Sequence, residues 1–205
     1  MLPDNRLATT AVVANWVHTP DTPMGSNFFL AEGGLELQNP SEGITGQIWK
    51  IKVLENKYVY LESLNYLETL IHTGEAITSI CLAFDVNMNY CFTFIDQGVC
   101  YLSWFDVVTA SQVITSFGEG ISTPMVELDD KREMFFANAD IVFAYIKDNK
   151  LYHRLQRERF TIERLLDDGP FVGIVKVGMN TANRLQFKLI PLIRRNETCD
   201  VIPNT

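Results

Sequence analysis

Residues 141–155, IVFAYIKDNKLYHRL, decide the fold, because residues 90–104, YCFTFIDQGVCYLSW, repeat their design. Each stretch is typical of two β-strands joined by a tight turn. Three aromatic positions correspond at a constant offset: Phe92 with Phe143, Phe94 with Tyr145, and Tyr101 with Tyr152. Residues 48–61, IWKIKVLENKYVYL, give a fainter third copy. Repetition of one antiparallel unit predicts an all-β protein whose sheets are arranged like the blades of a β-propeller.

The turns of these units support the hairpin interpretation. Gly, Asn and Asp tolerate positive φ angles, which two-residue hairpin turns require. Such residues occur at Asp96-Gln97-Gly98, at Asp148-Asn149-Lys150 and, in the faint copy, at Glu55-Asn56-Lys57. Before the last of these turns, Trp49, Ile51 and Val53 alternate with two lysines, which indicates a half-buried strand.

Composition divides the chain into three parts. Residues 1–45 hold four of the eight prolines and predict an extended N-terminal arm with two short strands, at residues 11–17 and 28–37. Residues 46–193 are the repeated antiparallel β body. Residues 194–205 form a polar C-terminal tail.

The end of the body is less regular than its beginning. Residues 158–166 have apolar spacing that suits a helix, but Phe, Thr and Ile at 160–162 favour a strand. The repeat predicts an outer strand here, which matches residues 112–117 of the earlier copy. Two more strands are expected at residues 172–177 and 184–192. This pair and the three hairpin units are compatible with a four-bladed ring that the N-terminal strands complete. They are equally compatible with an open array that neighbouring subunits close.

Overall composition narrows the function classes. The 205 residues are 47% hydrophobic and 20% charged, which is typical of a folded globular protein. The net charge of −8 argues against a sequence-independent DNA binder, because affinity for phosphate comes from Lys and Arg. No run of about 18 apolar residues occurs, so no membrane span is expected.

The four cysteines do not suggest a metal or redox site. Cys81, Cys91, Cys100 and Cys199 form no C-x-x-C pair. The first three sit within apolar runs, where a free thiol acts as a small hydrophobic group.

Histidines and carboxylates likewise predict no catalytic, cofactor-binding or metal-binding residue. His18, His72 and His153 share no ligand spacing, and His153 is expected to be exposed on its charged hairpin. The paired carboxylates, Asp129-Asp130 and Asp167-Asp168, lie at predicted turns, as does Asp85 in the earlier repeat. We therefore expect them to stabilise turns.

Residues 147–164 are the only locally basic stretch of this acidic chain. A charged sheet edge that resists pairing would explain it, and nucleic-acid binding is a weaker explanation. We favour an assembly interface in which Arg154 and Arg157 meet acidic groups of a neighbouring copy.

Three segments also resemble the repeat blocks of structural proteins from the virions of tailed bacteriophages. They are residues 141–160, residues 82–88 (LAFDVNM) and residues 122–132 (STPMVELDDKR). The N-terminal stretch at residues 7–34 has a similar character. The resemblance is greatest to the β-rich, propeller-like modules of tail nozzles, although this chain is shorter. It implies a tail or neck protein, present as a homo-oligomer around the tail axis.

The resemblance implies how the protein would work and where. The protein would be made in the cytoplasm of the bacterial host and would contact other tail or neck proteins as a nozzle, adaptor, tail-tip or fibre-anchoring part. It would lie near the DNA conduit without binding a specific nucleic-acid sequence, and it would need no cofactor. We expect the arm to contact a neighbour through Trp16, Phe28, Phe29 and Leu30.

Two other functions fit an all-β chain. A carbohydrate- or receptor-binding module would stack sugars on exposed aromatic side chains, with Trp104, Tyr145 and Tyr152 as candidates, although aromatic residues are more often core. A propeller glycosidase would need carboxylates that converge in space, which no motif in the sequence requires.

Overall fold

The computed structural model describes residues 31–34, 48–63, 66–87, 89–130, 138–179 and 185–192. These residues form fourteen β-strands and one 3₁₀ turn at Gln156–Glu158. The described part of the chain contains no helix long and apolar enough to span a bilayer. The predicted strand at residues 11–17 and the polar tail at 194–205 lie outside the described residues.

Three four-stranded sheets follow one another along the chain, and within each the strands pair antiparallel in chain order. The first sheet contains β1 (Ala31–Gly34), β2 (Ile48–Leu54), β3 (Tyr58–Ser63) and β4 (Tyr66–Thr73). The second contains β5 (Ile77–Phe84), β6 (Tyr90–Asp96), β7 (Val99–Asp106) and β8 (Ser111–Gly118). The third contains β9 (Ile121–Leu128), β10 (Ile141–Lys147), β11 (Lys150–Leu155) and β12 (Arg164–Asp167). The fourth sheet is a pair, β13 (Phe171–Met179) with β14 (Leu185–Pro191).

The structure confirms the repeated aromatic hairpin. Phe94 lies directly opposite Tyr101 across the β6–β7 hairpin, and Tyr145 lies opposite Tyr152 across β10–β11. The rings stack in both pairs, with centroids 5.1 Å and 6.1 Å apart. The turns also match, since they carry positive φ angles at Gln97 and Gly98, at Asp148 and Asn149, and at Glu55 and Asn56.

The sheets pack through their first strands, which lie side by side in the order β1, β5, β9, β13. The core forms between successive sheets, so the second strands are covered on both faces: residues 91–94 of β6 and residues 141–146 of β10 are buried. The all-β class and the antiparallel sheets are thereby confirmed. No closed propeller is detected among the described strands, and the blade-like arrangement stays a prediction.

The junction between the second and third sheets contains aromatic and polar contacts. Trp104 meets Phe160 edge to face at 5.2 Å between ring centroids. The Thr93 hydroxyl donates a 3.0 Å hydrogen bond to the carbonyl of Pro124, and the amide of Val126 donates to the Sγ of Cys81. Separation of the two sheets would leave these buried polar atoms without hydrogen-bond partners, so the contacts hold the sheets together.

The cysteines of the second sheet are free and buried, as predicted for small hydrophobic groups. Burial raises the pKa of the Cys81, Cys91 and Cys100 thiols, to about 12 for Cys100. A thiol with a raised pKa is poorly nucleophilic, so these residues are suited to packing. Cys199 lies outside the described residues.

The chain between β11 and β12 differs from the predicted strand at residues 158–166. A strand does form, but it begins only at Arg164. Before it, Arg159 and Phe160 adopt left-handed backbone conformations, with φ angles of 53° and 57°. This turn directs the Phe160 side chain into the core, where it is 1% exposed. Burial of a large aromatic ring outweighs the cost of the unfavourable backbone, which local β-propensity could not foresee.

Candidate assembly surface

Strand β8 is an edge strand with unusual chemistry. It ends the strand order of the second sheet, and only β7 pairs with it among the described strands. Its sequence, SQVITSFG, contains no charged residue and no proline. Edge strands of soluble proteins usually carry charges, prolines or bulges, because free backbone groups otherwise attract another chain. The pairing of β8 with β7 is irregular only near its end, between Ser116 and Gly118. The regular, uncharged part of this edge, Ser111–Ser116, is therefore a candidate contact surface.

Side chains of β8 hold the strand against the body while its other face stays open. Phe117 packs on Phe143 of the third sheet, with ring centroids 4.8 Å apart. Thr115 accepts a 3.0 Å hydrogen bond from the indole nitrogen of Trp104. On the opposite face Ile114 is 51% exposed. The strand is thus held in place, and its outer face presents one exposed apolar side chain, Ile114, between Gln112 and Ser116.

Apolar exposure continues into the turn that precedes β8. Val107 and Val108 are 66% and 72% exposed there. The turn is nevertheless well fixed, since the Asp106 carboxylate accepts from the amide of Val108 and pairs with Arg159 of the third sheet. We define the β8 edge as Ser111–Gly118 together with these two valines.

The other sheet edges are less suited to strand pairing. In β4, Leu67 and Leu70 are exposed, but Glu68 lies between them and pairs with Lys52. Strand β12 has only four residues, with a charge at each end. The absence of charge from residues 111–118 was visible in the sequence, and the outer strand predicted at residues 112–117 is confirmed by the strand order.

Arg154, predicted to lie at a subunit interface, instead contacts its own chain. Its Nε donates to the Tyr145 hydroxyl at 2.9 Å, and its Nη2 donates to Glu163 at 2.6 Å. Its Nη1 donates to the carbonyl oxygen of Phe160 at 2.9 Å, and the guanidinium lies 5.1 Å from the ring centroid of Phe117. The structure therefore favours an internal role for Arg154 over the predicted intersubunit one.

The same network explains the electrostatics of two other residues. Burial raises the pKa of the Tyr145 hydroxyl, which donates a 2.6 Å hydrogen bond to Glu163. Burial alone would also raise the pKa of Glu163, but the hydrogen bonds from Tyr145 and Arg154 lower it below its ordinary value. The hydrogen bonds from Tyr145 and Arg154 thus stabilise the charged form of the Glu163 carboxylate, which is partly buried beside the third sheet.

Arg157 differs from Arg154 in its surroundings. Its side chain is 61% exposed and makes an ion pair with Asp140, at 3.5 Å between Nε and Oδ2. An exposed guanidinium can still meet a neighbouring copy, so the predicted interface role of Arg157 stays a prediction. The arm residues Trp16, Phe28, Phe29 and Leu30 lie outside the described residues.

The aromatic candidates for sugar stacking belong largely to the core. Trp104 and Tyr145 are buried, and Tyr152 is partly buried against Tyr145. A sugar ring needs an open aromatic face, so the prediction for Trp104 and Tyr145 is wrong. The periodicity of the hairpins shows which residues share a face, but not which face another sheet covers.

Asp85 and Asp167 stabilise turns, as predicted. Asp85 accepts hydrogen bonds from the amides of Asn87 and Asn89, both at 2.9 Å. Asp129 accepts from the amide of Asp140, and Asp167 accepts from the amide of Gly169. In the described ranges no three His, Cys, Asp or Glu side chains are grouped so that they could hold a metal ion.

The expected exposure of His153 is wrong. The side chain is partly buried, and its Nδ1 atom is buried without a hydrogen-bond partner. Burial lowers its pKa, the nearby Arg164 lowers it further, and Glu158 opposes both. His72 is also partly buried, with its ring 4.5 Å from that of Phe94, and burial lowers its pKa against the opposing charge of Asp96.

His153→Phe is expected to weaken the pH dependence of stability below about pH 6.5, the ordinary pKa of His. Because the pKa of His153 is lower in the folded chain, the unfolded chain binds the proton more tightly. Stability is therefore lost as the pH falls from 6.5 through the folded pKa. Thermal unfolding between pH 5 and 8 measures the effect, with His72→Phe in parallel because His72 titrates in the same direction. Equal pH slopes for wild type and His153→Phe would contradict it.

Comparisons with protein-family models, with curated proteins and with solved structures found no match.

Proposed function

We propose that this chain is a structural protein of a tailed-phage virion, a tail or neck component that acts by assembling in several copies. The observation that supports assembly is the β8 edge, an uncharged strand of eight residues with Ile114 exposed on its outer face and two exposed valines in the turn before it. The phage context rests on the resemblance of residues 82–88, 122–132 and 141–160. These segments overlap the end of β5, most of β9 and the β10–β11 hairpin, which build the repeated sheets.

The sheets would supply a stiff unit. Two contacts join the second and third sheets, one between Trp104 and Phe160 and one between Asp106 and Arg159. They prevent these two sheets from sliding past each other. We infer a blade-like arrangement, because the first strands lie side by side and each sheet continues away from them in chain order. A rigid subunit transmits force to neighbouring subunits, and holds them in fixed positions, better than a flexible one.

Assembly would occur by strand addition. An edge strand that pairs with a second chain gains a row of backbone hydrogen bonds, while exposed side chains such as Ile114 add apolar contact. If β8 met a different edge of the next copy, the contact would be heterologous, and repetition around an axis would close a ring. Strand β4 would be the partner edge despite its Glu68, because the Leu67 side chain is 89% exposed there.

Ile114→Lys is expected to prevent oligomer formation without unfolding the chain. A lysine on the outer face of an edge strand is how soluble proteins block strand pairing. Mass measured by light scattering after size exclusion tests this. The matched control is Ile162→Lys, because Ile162 is similarly exposed, at 48%, but precedes β12 and lies in no strand. An oligomer unchanged by Ile114→Lys, or a wild-type chain that stays monomeric at all concentrations, would contradict assembly through β8.

The virion placement needs a separate test. Mass spectrometry of purified particles should detect the chain in several copies per particle, and cryo-electron microscopy should place it at the tail or neck. Its absence from intact particles would overturn the phage proposal, whatever its oligomeric state in solution.

A further inference from the structure

The first sheet has one face that no other sheet of the described strands covers. In the second and third sheets the corresponding face packs on the sheet before it. The ring of Phe94 lies 4.5 Å from that of His72 in β4, and the ring of Phe143 lies 4.8 Å from that of Phe117 in β8. The first sheet buries its opposite face, which carries Ile51, and packs through β2 on β5. The remaining face is turned away from the body, and we call it the outer face.

The strand register places an aromatic and aliphatic group of side chains on the outer face. Lys52 lies opposite Tyr60, at the position of the stacked aromatic pairs in the next two sheets. Tyr60 lies opposite Leu70 on its other side, and Tyr58 lies opposite Leu54. The leucines are 48% and 39% exposed, and both tyrosines are partly exposed. An apolar surface is therefore open here, at the position where the other sheets stack rings against a neighbour.

Two carboxylates border this surface, and one lysine holds both. The Nζ atom of Lys52 lies 3.2 Å from Oε2 of Glu62 and also pairs with Glu68. The hydrogen bond with Glu68 raises the pKa of Lys52, although desolvation opposes it. Each carboxylate oxygen has two lone pairs, so both groups can accept further hydrogen bonds. The hydroxyl groups of Tyr58 and Tyr60 have no hydrogen-bond partner among the described residues.

These charges limit what can cover the outer face. Another sheet would remove Lys52, Glu62 and Glu68 from water, and the desolvation of such a cluster commonly outweighs the attraction within it. An anionic ligand would meet two carboxylates on a chain of net charge −8. A basic peptide would find both carboxylates already paired with Lys52. An uncharged ligand that is rich in hydroxyl groups meets none of these obstacles.

We propose that the outer face of the first sheet binds a neutral polysaccharide. The apolar face of a sugar ring stacks on an aromatic side chain, and its hydroxyl groups donate to carboxylates such as Glu62 and Glu68. Tyr58 and Tyr60 are two residues apart on one strand, so they lie about 7 Å apart and can contact neighbouring units of one sugar chain. This site differs from the sugar site predicted from the sequence, whose aromatic residues lie in the second and third sheets.

Affinity electrophoresis of the full-length chain tests the proposal. The native gels contain dextran, galactomannan or hydroxyethyl cellulose, which are uncharged polysaccharides, and retardation of the protein measures the dissociation constant. We expect retardation in at least one gel. Tyr60→Ala should weaken binding about tenfold, because it removes one stacking contact. The control is Ile162→Ala, which truncates a side chain of 48% exposure outside the first sheet and should bind as the wild type does.

Glu68→Gln provides a second variant that is independent of packing. The Glu68 side chain is 40% exposed, and its replacement leaves Lys52 paired with Glu62. Circular dichroism should show an unchanged fold, while binding should weaken about threefold, because a hydrogen bond to a charged acceptor becomes one to a neutral acceptor.

Two results would overturn the proposal. One is the absence of retardation in every gel, and the other is equal retardation of the wild type and both variants. Binding of a labelled oligo-arginine peptide in place of the polysaccharides, weakened by Glu68→Gln, would assign the outer face to a basic protein segment instead.

Hydroxyl-radical footprinting locates the contact. A bound polysaccharide should protect Tyr58 and Tyr60 but not Tyr152, a partly buried tyrosine of the third sheet. Equal protection of all three would overturn the assignment to the outer face. This inference does not depend on the proposed function. A monomer that binds polysaccharide through Tyr60 would contradict assembly and leave the site intact, whereas an oligomer that binds none would do the reverse.

Discussion

Phe160→Ala is expected to lower the free energy of unfolding by about 3–5 kcal/mol, the usual cost of truncating a buried aromatic ring. Phe160 is 1% exposed and lies between two sheets, edge to face with Trp104 at 5.2 Å and with Phe143 at 6.4 Å. Its loss leaves a cavity where the second and third sheets meet, which neither sheet can fill without moving. Urea unfolding followed by tryptophan fluorescence measures the change.

Ile162→Ala is the matched control for this prediction. Ile162 follows Phe160 by two residues, but 48% of its surface is exposed, so its truncation should cost less than about 1 kcal/mol. Similar losses in the two variants would mean that Phe160 is not the residue that joins the sheets.

Arg154→Met is expected to destabilise the fold by about 2–3 kcal/mol, because a partly buried carboxylate loses its closest charged partner. Methionine keeps the length of the apolar stem, so the change isolates the lost guanidinium. Without it, Glu163 keeps only the hydrogen bonds of Tyr145 and Lys147, and its pKa should move back towards the ordinary value. The cost is below that of a fully buried pair, since a quarter of the Glu163 side chain is exposed. Thermal and urea unfolding at pH 7 test it.

Arg157→Met provides the comparison, because both arginines were candidates for the same interface. The Arg157 guanidinium is 61% exposed, and the buried Asp140 carboxylate would keep its hydrogen bonds from the backbone amide of residue 157, so the loss should be less than about 1 kcal/mol. A loss of stability in Arg154→Met alone supports the internal network. An Arg157→Met chain that keeps its stability but no longer forms oligomers would support the interface predicted for that residue.

The sequence predicted those parts of the fold that depend on local pattern. The hairpins of Tyr101 and Tyr152 were visible because alternation and turn chemistry act over a few residues. The sharp turn at Phe160 was not, because the gain that stabilises its left-handed backbone comes from Trp104, more than fifty residues away. Local propensity takes no account of contacts with residues that are distant in the sequence.

The candidate site was harder to foresee than the fold. Arg154 meets Glu163 only because the chain reverses between them, and the basic stretch therefore looked like an exposed surface. The β8 edge depends on strand order, which the repeat indicates but alternation alone does not encode. His153 became partly buried for the same reason, since periodicity gives the face of a strand but not what covers that face.

The thiol of Cys81 makes the cohesion of the molecule chemically measurable. Its sulfur accepts the amide of Val126 at the junction of β5 with β9, where solvent does not reach it. A thiol-specific reagent can modify this atom only while the two sheets are apart. The rate of that reaction thus reports how often the second and third sheets separate, and hence how strongly they are held together.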